Sequence, residues 1–184
     1  MGPYAFFDER KRKKWQNPEA VLMSIGLKLG FTFVDIGCGD GFFAIPAAKV
    51  VGQKGLVYGL DVDEDAISRL SERARRKGLV NLVLKVGKAE KIILCDGCAD
   101  IVFFGIVLHD FESVTKVLSN AKRMLKHDGR LIDLDWKKKP MEMGPPLHIR
   151  FSEEEAAGLI KEAGFKIETV KTNEPYHYVI IARP

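Results

Sequence analysis

The 184-residue chain reads as an α/β domain, an open and mostly parallel sheet with helices on both faces. Three observations predict this. Apolar runs of strand length alternate with amphipathic runs of helix length along nearly the whole chain. A glycine turn, FVDIGCGDGFF at 33–43, closes the first apolar strand and opens a helix. The last two apolar runs follow one another with no helix between them, which suits an antiparallel hairpin at the sheet edge.

Each element has its own signal. Asn17 and Pro18 form a cap and a first-turn proline, and Val21, Leu22, Ile25 and Leu29 give one apolar face that stops at Gly30. Phe31 to Ile36 is the first strand, and Phe42 to Val51 a helix closed by Gly52. Leu56 to Leu60 is the second strand and ends on Asp61. Asp63 then caps a helix with Glu64 and Asp65 at its start and Arg73, Arg75, Arg76 and Lys77 at its end, an order that complements the helix dipole before Gly78 stops it. Leu82 to Val86 and Asp100 to Phe104 are the third and fourth strands. Val114, Val117, Leu118, Ala121 and Leu125 mark a helix face, and Gly129 turns the chain into a fifth strand, Arg130 to Asp135. Ser152 with Glu155 is a capping box for a helix ending at Gly164, and Phe165 to Val170 with Tyr178 to Ala182 form the hairpin around a Thr-Asn-Glu-Pro turn.

Length and an apolar share of 46% are enough for one domain, 1–184, with a filled core, residues 1–30 forming an N-terminal helix and covering segment. The net charge of +4 is spread along most of the chain, so composition alone does not call for nucleic acid. No apolar run approaches the roughly 18 residues of a membrane span, and the first ten residues are charged, so a cytoplasmic protein is expected. Three cysteines do not make a disulfide framework. Cys38 lies in the glycine turn, and Cys95 and Cys98 form a single C-x-x-C that could be half a zinc site or a redox pair, but with no second pair and no nearby histidine they are expected as plain loop residues with no metal.

In such a sheet, ligands sit beyond the carboxyl ends of the strands, where the glycine turn lies. Its spacing is G-x-G-x-G, Gly37, Gly39 and Gly41, not the G-x-G-x-x-G of dinucleotide binders, and Asp35 precedes it while Asp40 lies inside it. A pyrophosphate would meet unneutralised carboxylates there, at a cost of several kcal/mol on the order of Coulomb estimates, so a ligand with a positive centre is the better match. Asp61 follows Gly37 by 24 positions, the spacing at which an acid reaches ribose hydroxyls. A ribonucleoside joined to a cationic amino-acid-like tail is S-adenosylmethionine.

The segments FVDIGCGDG, GLDVDEDAI, GKAEKI, CADIVFFGIVLHDF and MLKHDGRLIDLDW, in this order, resemble the successive motifs of class I S-adenosylmethionine-dependent methyltransferases. The likeness is greatest to the small-molecule (type 11) branch that includes the ubiquinone and menaquinone biosynthesis methyltransferases. It implies a Rossmann-like seven-stranded sheet with a C-terminal antiparallel strand. It also implies that Gly37, Cys38 and Gly39 pass beneath the methionine part while Asp35 holds its ammonium. Asp61 would bind the ribose diol, with Val62 on the adenine face and Ala89 and Glu90 at the adenine edge. Phe104 and Gly105 would supply backbone beside the methionine. Lys88 stands where the family often has an Asp that accepts from the adenine amine, so that contact falls to backbone or Glu90.

His109 and Asp110 follow the fourth strand and should face the methyl acceptor, with His109 either a general base or a packing residue at the strand end. Tyr4, Phe6, Phe7 and Trp15 are expected either as a lid over the cofactor or as aromatics of a charged tail. Trp136 to Lys139, with Met141, Met143, His148 and Arg150, should border the acceptor pocket. The expected activity is methyl transfer to a small molecule, leaving S-adenosylhomocysteine. A methyltransferase of RNA or protein, motivated by the RKRKK and KKK runs, and a non-catalytic S-adenosylmethionine-binding protein are the alternatives. The first of these is disfavoured because FFGIVLHDF lacks an Asn-Pro-Pro-Tyr type motif. An NAD-dependent oxidoreductase is disfavoured by the glycine spacing and Asp35.

Overall fold

The computed structural model describes residues 12–13, 15–173 and 175–184. Tyr4, Phe6 and Phe7 lie outside the described residues.

Seven strands form one sheet in the order β3-β2-β1-β4-β5-β7-β6: β1 Thr32–Ile36, β2 Leu56–Asp61, β3 Leu82–Val86, β4 Ala99–Gly105, β5 Leu125–Trp136, β6 Lys166–Asn173 and β7 His177–Arg183. The first five run parallel, whereas β7 is antiparallel to both of its neighbours. The hairpin is therefore inserted with its second strand inward, leaving β6 at the edge.

Five α-helices with both ends among the described residues cover the sheet: α1 Pro18–Ser24, α2 Ala44–Val51, α3 Glu64–Arg76, α4 Val114–Met124 and α5 Glu153–Glu162. The first three pack with Phe33, Val57, Ile101, Phe103, Ile132 and Leu134 on one face. The last two pack with Val34, Val102, Phe104, Leu131 and Tyr178 on the other. Caps fix the helix starts: Asn17 accepts from Ala20, Asp63 from Asp65 and Ala66, and Ser152 with Glu155 forms a reciprocal capping box.

Two boundaries differ most from those expected, β6 runs on to Asn173 through half of the expected turn, and one loop differs in kind. α1 stops at Ser24 rather than Gly30, because Gly26 takes a φ of 79° and Leu27 turns back to bond Leu22, which leaves Leu29 71% exposed. β5 begins at Leu125, but its pairing with β4 jumps from Ala99–Leu125 to Ile101–Arg130, so residues 126–129 bulge out and continuous pairing starts at Arg130 as expected. A Cβ on Gly129 would stand 2.7 Å from the Ala99 carbonyl oxygen, so glycine there also permits close strand contact. Cys95 and Cys98, expected as plain loop residues, are joined as a disulfide. Gly97 at a φ of 58° turns the chain, and the N–H groups of Gly97 and Cys98 anchor it on the carbonyls of Arg123 and Met124, so the two thiols meet.

No helix among the described residues is long and apolar enough to cross a membrane. Where β5 meets β7, His177 is buried between Trp136, with ring centroids 4.4 Å apart, and Trp15, stacked at 5.4 Å. Burial, then the charges of Arg12, Lys137 and Arg150, pull its pKa down to about 3. A depressed imidazole pKa gives stability that is present above the unfolded value near 6.5 and lost as pH falls toward the folded one. Lowering pH from 7.5 to 5 should therefore cost the wild type about 1–2 kcal/mol through this residue. Thermal melts of His177→Phe at the two pH values should show a correspondingly smaller loss, and an equal loss would refute the assignment.

Candidate functional site

A cavity of about 910 Å³ opens beyond the carboxyl ends of β1 to β5. The glycine turn forms its floor. Gly37, Gly39 and Gly41 have φ values of 73°, 50° and 86°. A Cβ on Gly37 would stand 2.5 Å from Cγ2 of Val107, whereas one on Gly39 would meet nothing within 4 Å. Gly37 is thus required by packing between two loops, and Gly39 leaves its backbone open toward the cavity.

Asp35 is 2% exposed at the end of β1 and takes a backbone hydrogen bond from Ala44 at the first turn of α2. Its Oδ2 is buried and has no hydrogen-bond partner among the described residues. Burial first, then the charge of Asp61, pushes its pKa up to about 7, against the pull of Arg12 and the Ala44 N–H. Asp61 at the end of β2 joins two loops: Oδ2 accepts from Gly39 N at 2.7 Å and Oδ1 from Asp63 N at 2.9 Å. Each oxygen keeps a second lone pair for a hydroxyl donor. Val62 beside it is 61% exposed and offers an apolar surface to the cavity.

Most residues expected at a cofactor site line this cavity: Asp35, Gly37, Cys38, Gly39, Asp61, Val62, Ala89, Glu90 and Gly105. Phe104 does not. Its side chain is fully buried in the core and packs edge-on against Phe111, so only its neighbour Gly105 reaches the cavity. Cys38 contributes backbone. Its thiol is buried beneath the turn, where a Cβ on Gly59 would lie 3.0 Å from Sγ, and burial with the charges of Asp35 and Asp61 pushes its pKa up. Asp40, expected as an unneutralised carboxylate, is held by Arg69 Nε and Nη2 at 3.0 and 2.8 Å. Lys88 reaches across to Glu112, with Nζ 2.7 Å from Oε1, so a carboxylate partner satisfies the lysine that replaces an acid.

His109 and Asp110 lie on the short 3-10 turn Leu108–Asp110 and both line the cavity. Trp15, Trp136 and Pro145 line it as well, whereas Met141, Met143, His148 and Arg150 do not. Arg150 is buried instead, and its guanidinium bonds the carbonyls of Pro145, Lys137, Lys139 and Met143, pinning that loop to itself.

Two features escaped the sequence. Ile106 has a φ of 64°, a strained conformation for a β-branched residue, and follows Gly105 at the cavity wall. Asp135 is 1% exposed, and both of its oxygens are 2.8 Å from His109 Nδ1. The two aspartates of IDLDW in a central apolar strand were its available signal, since buried carboxylates are rare without partners.

Residues 27–177 match the family model of a methyltransferase domain. The chain belongs to that family. A crystal structure of an S-adenosylmethionine-dependent methyltransferase from Aquifex aeolicus superposes with a TM-score of 0.88 at 32% identity, covering 96% of this chain and 98% of that one. Demethylmenaquinone methyltransferase of Geobacillus kaustophilus is 30% identical over 126 residues, 68% of this chain and 53% of that protein. A probable cobalt-precorrin-6B C(15)-methyltransferase of Sulfurisphaera tokodaii is 32% identical over 104 residues, 56% and 52% of the two chains. The chain spans about half the length of these curated relatives.

S-adenosylmethionine is the cofactor of this methyltransferase class, and the site's chemistry fits it. The orphaned Asp35 oxygen suits an ammonium, the spare lone pairs of Asp61 suit a diol, and Val62 suits a flat apolar base. A raised carboxyl pKa means that the ligand-free domain loses stability as pH rises from the unfolded value of 3.8 through about 7, the penalty being complete above that. Asp35→Asn should therefore stabilise the ligand-free domain at pH 8, by about 1–3 kcal/mol, and leave it unchanged at pH 4. Denaturant melts at both pH values measure this, and destabilisation at pH 8 would contradict it.

Proposed function

We propose that the domain transfers the methyl group of S-adenosylmethionine to a small-molecule acceptor. The observation that carries this is the division of one cavity into two chemistries. Asp35, Gly39 and Asp61 make a cation-and-diol end, and His109, Asp110 and Trp136 make an end with a base and an aromatic wall.

At the first end, Asp35 takes the ammonium on its unpartnered oxygen and becomes fully ionised in doing so. Gly37, Cys38 and Gly39 bring backbone against the methionine part, with Gly105 opposite. Asp61 accepts from the ribose hydroxyls. Val62 covers one face of the adenine, and Ala89 with Glu90 borders its edge. When bound, S-adenosylmethionine supplies a methyl carbon on a positively charged sulfur, an electrophile already activated for in-line displacement. The chain's remaining task is to align the acceptor and keep water out, for which Trp15 and Trp136 form the walls at the other end. His109 and Asp110 face the incoming acceptor there.

Calorimetry with S-adenosylmethionine, S-adenosylhomocysteine and NAD should give binding of the two sulfur ligands and none of NAD. Asp61→Ala should weaken both by about 10- to 100-fold, the loss of hydrogen bonds to a charged acceptor. Labelled methyl groups should then appear in the small-molecule fraction of a cell extract. Label in RNA or protein would replace the acceptor class, tight binding without transfer would leave a non-catalytic binder, and NAD binding alone would end the proposal.

A further inference from the structure

β5 carries two aspartates, Asp133 and Asp135, on the face toward α4 and α5, and neither lines the cavity. Asp135 touches it through one intermediary, since both of its oxygens meet Nδ1 of His109 at 2.8 Å and Oδ1 also accepts the Trp136 N–H at 2.7 Å. The pair is closed off from solvent, with side chains 4% and 2% exposed. An ionised carboxylate only accepts hydrogen bonds, so Nδ1 must carry the proton. In the neutral ring Nε2 is then the acceptor, and its near neighbour is Asp110 Oδ1 at 3.6 Å.

We infer, on the methyl-transfer proposal above, that Asp135 is a positioning residue that locks His109 in the Nδ1–H form, so that Nε2 takes a proton from the acceptor during transfer. The acceptor class that follows is a nucleophile bearing a dissociable proton, such as a hydroxyl, thiol, amine or acidic C–H, and not a thioether or tertiary amine. The acceptor X–H bond breaks and its electron pair forms the bond to the methyl carbon. The carbon–sulfur pair stays on sulfur, and the proton goes to Nε2.

Several charged groups face His109: Asp135 from β5, Asp110 from its own turn, and Arg150 from the segment before α5. Burial pulls its pKa down, but the Asp135 hydrogen bond and charge, with Asp110, outweigh burial and Arg150 and leave it above the ordinary imidazole value. Behind Asp135 lie Asp133 and, opposite in register on β7, Tyr178. Burial raises both pKa values, that of Asp133 further by the charge of Asp135 and that of Tyr178 further by both aspartates, so their surroundings disfavour an added negative charge behind the His109–Asp135 pair.

The test uses 1,4-dihydroxynaphthalene and 4-nitrothiophenol as proton-bearing probes and methyl phenyl sulfide as a probe without such a proton. NMR titration of His109 and S-adenosylhomocysteine affinity are measured on the same samples. The expected wild-type result is transfer to a proton-bearing probe alone, with kcat/KM rising with pH through the pKa that NMR reads for His109. Asp135→Asn should cut kcat by about 100-fold and move that rise about one unit or more to lower pH, with S-adenosylhomocysteine affinity unchanged. Asp135→Glu should restore part of the rate. Transfer to the sulfide at a comparable rate overturns the inference, as does transfer to no probe, a pH limb that does not follow His109, or one that Asp135→Asn leaves in place. If Asp135→Asn does not fold, the wild-type profile against the NMR value decides. Failure to bind S-adenosylhomocysteine would instead end the methyl-transfer proposal itself.

Discussion

A carboxylate buried with one oxygen unpartnered is unfavourable, and the ligand-binding end of this domain is arranged around one. Asp35 sits where a parallel strand ends beneath the first turn of a helix, a place that costs it most of its hydration and returns one backbone hydrogen bond. Asp61 lies close enough to raise the cost further. Both acids lie at strand ends whose following loops pack together: Asp61 accepts from the amide of Gly39, and the glycine turn after Asp35 also packs on Val107 beyond β4. The geometry that brings two negative groups together also leaves an opening of about 910 Å³ in front of them. A cation placed there relieves strain that the fold otherwise carries.

The other end of the cavity handles charge in the opposite way. His109 meets Asp135 and Asp110 at short range, and Asp133, whose oxygens have no hydrogen-bond partner among the described residues, has its pKa raised by burial and then by the charge of Asp135. Around them Trp15, Trp136 and His177 make an aromatic cluster, with His177 held neutral by burial. On the proposed function, one end gains a positive ligand and the other exchanges a proton, both at the carboxyl ends of a single sheet.

Local signals made much of this legible. Caps at Asn17, Asp63 and Ser152 have short-range causes, as do the strand lengths, and each stands where its residue type predicts. Asp35 and Asp61 could be placed at one site because strand ends in a parallel sheet converge. What the sequence withheld depends on contacts between distant segments. Asp135 meets His109 across 26 residues, Arg69 neutralises Asp40 across 29, and Lys88 finds Glu112 across 24. Gly129 closes a bulge in β5 and also lets it approach the Ala99 carbonyl of β4, a second requirement that is set by the neighbouring strand. The thiol pairing of Cys95 with Cys98 is likewise set in three dimensions.

On the proposed function, the buried carboxyl of Asp35 is the receptor for a cationic group. The most direct measurement of this is the number of protons released when S-adenosylhomocysteine binds, obtained calorimetrically in buffers of different ionisation enthalpy. A carboxyl with a pKa of about 7 that becomes fully ionised on binding releases about half a proton at pH 7, and nearly none at pH 8.5. Asp35→Asn should abolish the release. A binding enthalpy that is the same in every buffer at pH 7, with tight binding retained in Asp35→Asn, would contradict the account.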